Sequence, residues 1–351
     1  MPLLSVFNNL IKFNLRGNKV ATLLAANSMI KKHVNMLVKT SFVVICWVAM
    51  AGLGYGQPKK LTPKTKTETK KVVSNPANAK TLLWEISGKE LKKPSYLFGT
   101  MHILCAEDAY LSDRMREIIK DVDVIYFELD MDNMSEMMGA LQYLRMNDGM
   151  KISELLSKED YAKVEEYFKK NNFPLPLAMM NRFKPYFVSS LIGEQMLTCQ
   201  QKDGMEMQIM NESKKYEKEI KGLETTQFQA SIFDSIPYEK QAKDLVTYID
   251  SIESYKKVML EMVEVYRQQD LEKMDSLMHK SDPGMEEYMD LLLYNRNALW
   301  VDHMPNIMFN RSVLFAVGAG HLPGERGVIN LLRQKGYTVK PLENNPAAVS
   351  Q

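Results

Sequence analysis

Two patterns in the chain carry histidine behind a glycine turn: Gly99-Thr100-Met101-His102 and Gly318-Ala319-Gly320-His321. Two carboxylates, Glu128 and Glu224, share a property with them. Each of the four follows directly on an apolar run of strand length. Two imidazoles with one or two carboxylates suit a borderline divalent ion such as Zn²⁺, Mn²⁺ or Co²⁺. An ion with an open position binds water and lowers its pKa towards neutrality, which makes a nucleophile. A carboxylate not spent as a ligand can then serve as general base. Gly99, Gly318 and Gly320 are expected to permit tight turns with positive φ and close approach of a substrate backbone. Taken singly, a strand-end histidine is more often structural and a strand-end glutamate more often a salt-bridge partner. The repeated Gly-x-x-His favours one shared site.

For such a site to exist, the fold must bring together residues up to 219 positions apart. The local patterns suggest how. Lys80 to Ile86 alternates as a first strand. Ser95-Tyr96-Leu97-Phe98 is a second, stopping at the first glycine turn. Ser112 reads as the N-cap of a helix through Lys120, with Met115, Ile118 and Ile119 inward. The run 122–127 is a further apolar strand, so 95–128 reads as a right-handed strand–helix–strand crossover with parallel strands. Ser312 to Val317, a helix from about Gly324 to Gln334 closed by Gly336, and a strand from Thr338 to Leu342 repeat that unit. Between the units, Glu219 to Leu223 is a short strand ending at Glu224. These elements predict an α/β fold with a central, largely parallel sheet. In such a sheet the carboxyl ends of the strands share one edge, and ligands bind in the crevice there. Insertions at about 132–215 and 227–310 carry Leu and Met at helical spacing, and a large helical layer over the carboxyl edge is expected.

Composition fits an ordinary globular protein, 45% hydrophobic and 25% charged. It excludes a disordered, fibrous or multi-spanning membrane chain. A net charge of +2 implies no broad nucleic-acid-binding face. The 26 methionines read as soft filling of helical cores. The run 42–51 has Lys39 before it and Gly52, Gly54 and Gly56 after it, the parts of a secretory signal peptide. It falls short of the ~20 residues that span a bilayer comfortably. The expected organisation is therefore an upstream mis-start at 1–35, a signal peptide at 36–56 cleaved near Gly56, a Lys/Thr/Pro linker at 57–80 and a folded domain at 81–345. This predicts an exported, periplasmic or extracellular protein, touching membrane only if the segment stays uncleaved as an anchor.

The chain resembles the TraB/GumN family, which includes the Tiki-like and PrgY-related proteins. The resemblance spans about 81–343. It rests on Leu82-Leu83-Trp84-Glu85-Ile86, Leu97 to His102, Phe127-Glu128-Leu129-Asp130, Gly222-Leu223-Glu224-Thr225 with Gln227, Arg296-Asn297 with Trp300, and Val317 to Leu322 with Gly324. It implies a fold like that of the erythromycin-esterase and ChaN proteins, with His102, His321 and Glu128 as active-site residues. For Tiki-like members it implies metal-dependent peptide cleavage. The usual zinc-protease His-Glu-x-x-His is absent from the chain.

Further candidates surround this set. Arg182 and Lys184 lie near the family's Lys-Pro position and either hold a substrate carboxylate or cap a helix. Arg296 is expected either to orient Glu128 or Glu224 as a partner or to form a buried salt bridge, with Gln227 and Asn297 beside it in the same supporting role. His279 and His303 read as helix-surface residues. Once Cys46 leaves with the signal peptide, Cys105 and Cys199 remain and would meet an oxidising compartment, so a disulfide is expected. The rivals are a thiolate metal ligand at Cys105 and two unrelated thiols. Two functions are compatible with these residues. One is a hydrolase that cleaves a peptide or ester bond of a small envelope substrate through metal-activated water. The other is a non-catalytic envelope protein that binds or sequesters a peptide or glycan.

Overall fold

The computed structural model describes residues 79–281 and 286–345. The segments at 1–35 and 36–56 and most of the linker lie outside the described residues. In chain order the elements are β1 (Leu83–Ser87), β2 (Ser95–Thr100), β3 (Leu104–Cys105), α1 (Asp113–Asp121), β4 (Val124–Leu129), α2 (Met134–Tyr143), α3 (Ile152–Leu155), α4 (Lys158–Lys170), α5 (Pro185–Glu194), β5 (Lys202–Asp203), α6 (Met205–Lys214), β6 (Glu219–Glu224), α7 (Thr226–Ile232), α8 (Tyr238–Asp250), α9 (Ile252–Arg267), α10 (Leu271–Ser281), α11 (Asn295–Met308), β7 (Val313–Gly318), α12 (Val328–Gln334) and β8 (Thr338–Pro341). They group into two compact units.

The first unit, 133–195 with 225–251, is helical. Its core includes Val164 and Phe168 of α4, Val188 and Ile192 of α5, and Leu245 of α8. Buried polar groups inside it are paired. Lys184 lies 2.7 Å from Asp234, and its Nζ donates to the Ala230 carbonyl. Tyr186 Oη donates to Asp244. Lys184 is thereby committed to the packing of this unit. Arg182 and Gln227 also belong to this unit, both exposed.

The second unit, 79–132 with 196–224 and 252–345, holds the sheet. Its six strands run in the order β6-β4-β7-β2-β1-β8. The β6–β4, β4–β7 and β7–β2 pairs are parallel, and β1 runs against both β2 and β8. The near-continuous apolar sequences of β4 and β7 suit parallel strands with both faces covered, and both strands are almost wholly buried. Ser112 caps α1, accepting from the Met115 amide, and Met115, Ile118 and Ile119 are the buried residues of that helix. The crossover from β2 through α1 to β4 steps over one position in the sheet, and β7 fills it. The carboxyl ends of β2, β7, β4 and β6 therefore lie side by side.

Three local expectations are corrected. The 132–215 stretch is not helical throughout: β5 pairs antiparallel with β3, Leu104 opposite Asp203 and Cys105 opposite Lys202. The helix expected from Gly324 begins only at Val328, after a single 3-10 turn at Ala319–His321. The site glycines do not adopt positive φ, a conformation confined among the described glycines to Gly88, Gly149, Gly324 and Gly336. At Gly99, Gly318 and Gly320 the constraint is proximity of this chain's own atoms: a Cβ would meet Ala319, Glu128 or Met278 at 2.9–3.1 Å.

Candidate functional site

Three of the four strand-end residues gather around Gly318, and Glu224 joins them through Arg296. Its φ of −51° is open to any residue, but space is not. A methyl group there would lie 3.1 Å from Glu128 Oε1, 3.5 Å from His321 Cδ2 and 3.8 Å from His102 Nε2. Glu128, the penultimate residue of β4, turns its side chain along the end of β7, and the Gly318 amide donates to its Oε1 at 2.8 Å. His321 Nε2 lies 3.7 Å from the same oxygen. His102 enters from the loop after β2.

Each imidazole is fixed from behind. The Asn297 amide donates through Nδ2 to the Arg326 carbonyl at 3.0 Å, which turns its Oδ1 towards His321 Nδ1, 2.6 Å away. Nδ1 must then carry the proton and Nε2 the lone pair. Arg296 Nη1, a donor only, faces that Nε2 at 3.3 Å, which agrees. The His321 ring also packs on Trp300, centroids 4.5 Å apart. On the other side, His102 Nδ1 lies 2.6 Å from Glu206 Oε1. Glu206 was not singled out in the sequence. It lies in Met205-Glu206-Met207 and resembles any charged residue of an exposed helix, whereas here it is buried. The signal that could have found it is Gly204, the N-cap of α6.

Arg296 ties the carboxylates together. Nε donates to Glu224 Oε1 at 2.9 Å, and Nη2 reaches Glu224 Oε2 at 2.9 Å and Glu128 Oε2 at 2.6 Å. Nη1 donates to the Leu292 carbonyl at 2.8 Å as well as facing His321. All five guanidinium donors are therefore used. Leu292 lies in a π-helical turn, Asp290–Tyr294, immediately before α11. Such turns recur at functional sites. Trp300, one turn further along α11, donates its Nε1 to Glu224 Oε1 at 2.9 Å. Both sequence readings of Arg296 thus merge: it is a buried salt bridge, and it orients both carboxylates.

The electrostatics follow from burial and this pairing. Burial alone would raise the Glu128 pKa. Arg296, His321, His102 and the Gly318 amide outweigh it and hold the carboxyl below the usual range. Burial, with Arg296 and His102, lowers the His321 pKa to about 3 against the pull of Glu128, so the ring is neutral near pH 7. Burial pushes the Glu224 carboxyl up, and its bonds from Arg296 and Trp300 do not fully offset it. Burial works against the Arg296 charge, but Glu224 and Glu128 raise its pKa above the usual arginine value.

His102, His321 and Glu128 supply the donor types that a borderline divalent ion needs, with the lone pair of His321 on Nε2. In that sense they fit one. Among the described residues, however, no group of three or more His, Cys, Asp or Glu is set out to hold an ion. Arg296 Nη1 occupies space beside His321 Nε2, and seating an ion requires that contact to give way. Cys105 is excluded as a thiolate ligand because it is bonded to Cys199, with the Cα atoms 5.8 Å apart. His279 is exposed on α10 and bonds to the Asp275 carbonyl and to Tyr294, and His303 is likewise exposed, on α11.

Comparison with known proteins finds relatives of this chain. "Metalloprotease TIKI1" of Danio rerio is 20% identical over 88% of this chain and 70% of its own length. "Metalloprotease TIKI homolog" of Amphimedon queenslandica is 23% identical over 77% of this chain and 63% of its own length. No solved structure matches the chain. The TraB/PrgY/gumN family model matches residues 82–341, a span that takes in every described strand and all four strand-end residues, and the chain belongs to that family.

Proposed function

We propose that this protein is an exported, metal-dependent hydrolase that cleaves a peptide or ester bond. The observation that carries the reading is the convergence of His102, His321 and Glu128 on Gly318, with His321 Nδ1 bonded to the Asn297 amide oxygen and His102 Nδ1 2.6 Å from the Glu206 carboxylate. The two relatives named as metalloproteases support it. The likeness to the erythromycin-esterase and ChaN fold, with helices over the carboxyl edge, belongs to the same proposal, as do the signal peptide and cleavage near Gly56. Among the described residues no helix is long and apolar enough to cross a membrane.

His102, His321 and Glu128 would hold the ion, of which Zn²⁺, Mn²⁺ and Co²⁺ suit the donors. A bound ion would supply Lewis-acid polarisation of a carbonyl and a water of lowered pKa. The chain's own residues do the rest. Asn297 and Glu206 orient the two imidazoles. Arg296 keeps Glu128 ionised and aimed along the end of β7. Glu224, both oxygens engaged by Arg296 or Trp300, anchors the guanidinium. Glu128 Oε1, turned to the crevice, is the carboxylate placed to take a proton from water if it is not itself a ligand.

Metal analysis of the purified mature protein, together with a peptide-library digest, tests the reading. Bound metal and cleavage should both be present, and His102→Ala and His321→Ala should each lose both. Undiminished metal in both variants would overturn the ligand assignment. One observation favours a second reading, a non-catalytic binder of a peptide or glycan: Arg296 already neutralises the carboxylates. Metal-free protein that retains peptides without cutting them would establish it.

A further inference from the structure

We infer that Glu206 is a positioning residue for His102: it holds the proton on Nδ1 and thereby turns the lone pair of Nε2 towards Gly318. The inference rests on the proposed site but concerns a residue that the strand-end pattern does not contain.

The backbone builds this contact. Segments 101–106 and 201–206 lie antiparallel, joined by the β3–β5 pairing and by bonds from the Ala106 amide to the Gln201 carbonyl at 3.0 Å and from the Met205 amide to the Met101 carbonyl at 3.1 Å. Between these two bonds sits Gly204. A Cβ there would be 2.3 Å from the His102 carbonyl oxygen, so only glycine lets the start of α6 approach so closely. The Cys105–Cys199 bond fastens the far end of the same pair of segments. Glu206, in the first turn of α6, is thus delivered to the back of the His102 ring.

Its surroundings leave it little else to do. The Glu206 side chain is 8% exposed and that of His102 is 16%. Among the described residues no lysine or arginine lies at ion-pair distance from Glu206. A buried carboxylate needs a partner, and the nearest is His102 Nδ1, 2.6 Å from Oε1, a close ion-pair contact not aligned as a hydrogen bond. A carboxylate behind an imidazole fixes its tautomer and raises the basicity of the opposite nitrogen, and losing such a partner typically lowers metal affinity about 10–100-fold. His321 has a neutral amide oxygen in the equivalent place. The two histidines therefore have unlike backing, a carboxylate for His102 and an amide oxygen for His321.

Two measurements on the full mature chain test this. Ring-nitrogen NMR of the metal-free protein should show His102 protonated at Nδ1 and bare at Nε2. Glu206→Ala should populate the Nε2–H form, and Glu206→Gln, whose amide oxygen can still accept, should retain the wild-type tautomer. Equilibrium dialysis with Zn²⁺ or Mn²⁺ should show affinity falling about 10–100-fold in Glu206→Ala, with a smaller loss in Glu206→Gln. An Nε2–H tautomer in the wild type, or an unchanged tautomer in Glu206→Ala, overturns the inference. The wild-type spectrum decides even if a variant fails to fold. A wild type that binds no metal but shows the Nδ1–H tautomer would sink the metal reading and leave this one standing.

Discussion

Arg296→Ala isolates the group on which the site's charge balance depends. The substitution removes a cation whose side chain is 8% exposed and strands two carboxylates, Glu128 and Glu224, whose side chains are 6% and 4% exposed. Breaking a buried pair by deleting one partner costs about 3–5 kcal/mol, because the remaining charge is left uncompensated. Here two acceptors lose their donor, and the Leu292 carbonyl loses its bond as well, so the upper part of that range applies. For a folded region of this size each kcal/mol lowers Tm by roughly 2–4 °C, which predicts a drop of about 8–20 °C. Arg296→Lys keeps the charge but offers three donors instead of five in a fixed fork. It should fall between wild type and Arg296→Ala. The assay is thermal or urea unfolding followed by circular dichroism. The double variant Arg296→Met/Glu224→Gln should recover at least about 1 kcal/mol relative to the sum of its single changes, because the two sites share one network. A loss below about 1 kcal/mol in Arg296→Ala, or strict additivity in the double variant, would refute the claim that this cluster is a buried, mutually dependent network.

Three further outcomes follow from the same structure. Cys105 and Cys199 are 94 positions apart, and chain-entropy arguments assign roughly 4–5 kcal/mol to closing a loop of that length. Cys199→Ser should lower Tm markedly, and thiol titration of denatured, unreduced wild type should find neither Cys105 nor Cys199 reactive. Gly318→Ala should leave the fold largely intact, because its φ suits alanine, yet cut metal binding and turnover at least about tenfold by pushing Glu128 and His321 off a geometry that tolerates little displacement; dialysis and a cleavage assay read this, and unchanged values would remove Gly318 from the centre of the site. Asp123 has its pKa lowered chiefly by the Ser312 amide at the start of β7, with Lys93 assisting. Its contribution to stability should be complete above about pH 4 and lost as pH falls through the lower folded-state value. Urea midpoints between pH 2 and 5 should accordingly slope less steeply in Asp123→Asn.

The parts of this molecule that depend on near neighbours in sequence were legible. α1 is readable because Ser112 and the buried face Met115, Ile118 and Ile119 lie within one stretch, and β4 and β7 because burial on both faces demands an unbroken apolar run. His102, Glu128, Glu224 and His321 could be nominated because parallel strands present their carboxyl ends together, whatever the order of the strands. That order was not readable: nothing in Val313–Gly318 says that it lies between β2 and β4. Nor was Glu206, since burial of a helical glutamate depends on a contact made from about 100 residues away. His321 also contributes to the packing, being 5% exposed and set against Trp300. His321→Ala should therefore cost stability as well as metal.

The insertion of β7 between β2 and β4 also governs when the cluster around Gly318 can first be complete. The strands β2 and β4 are complete by residue 129 but share no edge, and the position between them stays open until a segment some 190 residues later arrives. Contacts of such high sequence separation form late, because the closure entropy must be met before they contribute. A chain still being synthesised or translocated can carry His102, Glu128 and Glu224 and yet have no assembled centre, since both Gly318 and His321 come with the final insertion. Assembly of the sheet thus acts as a timer: the cluster around Gly318 cannot be complete until nearly the whole chain is available.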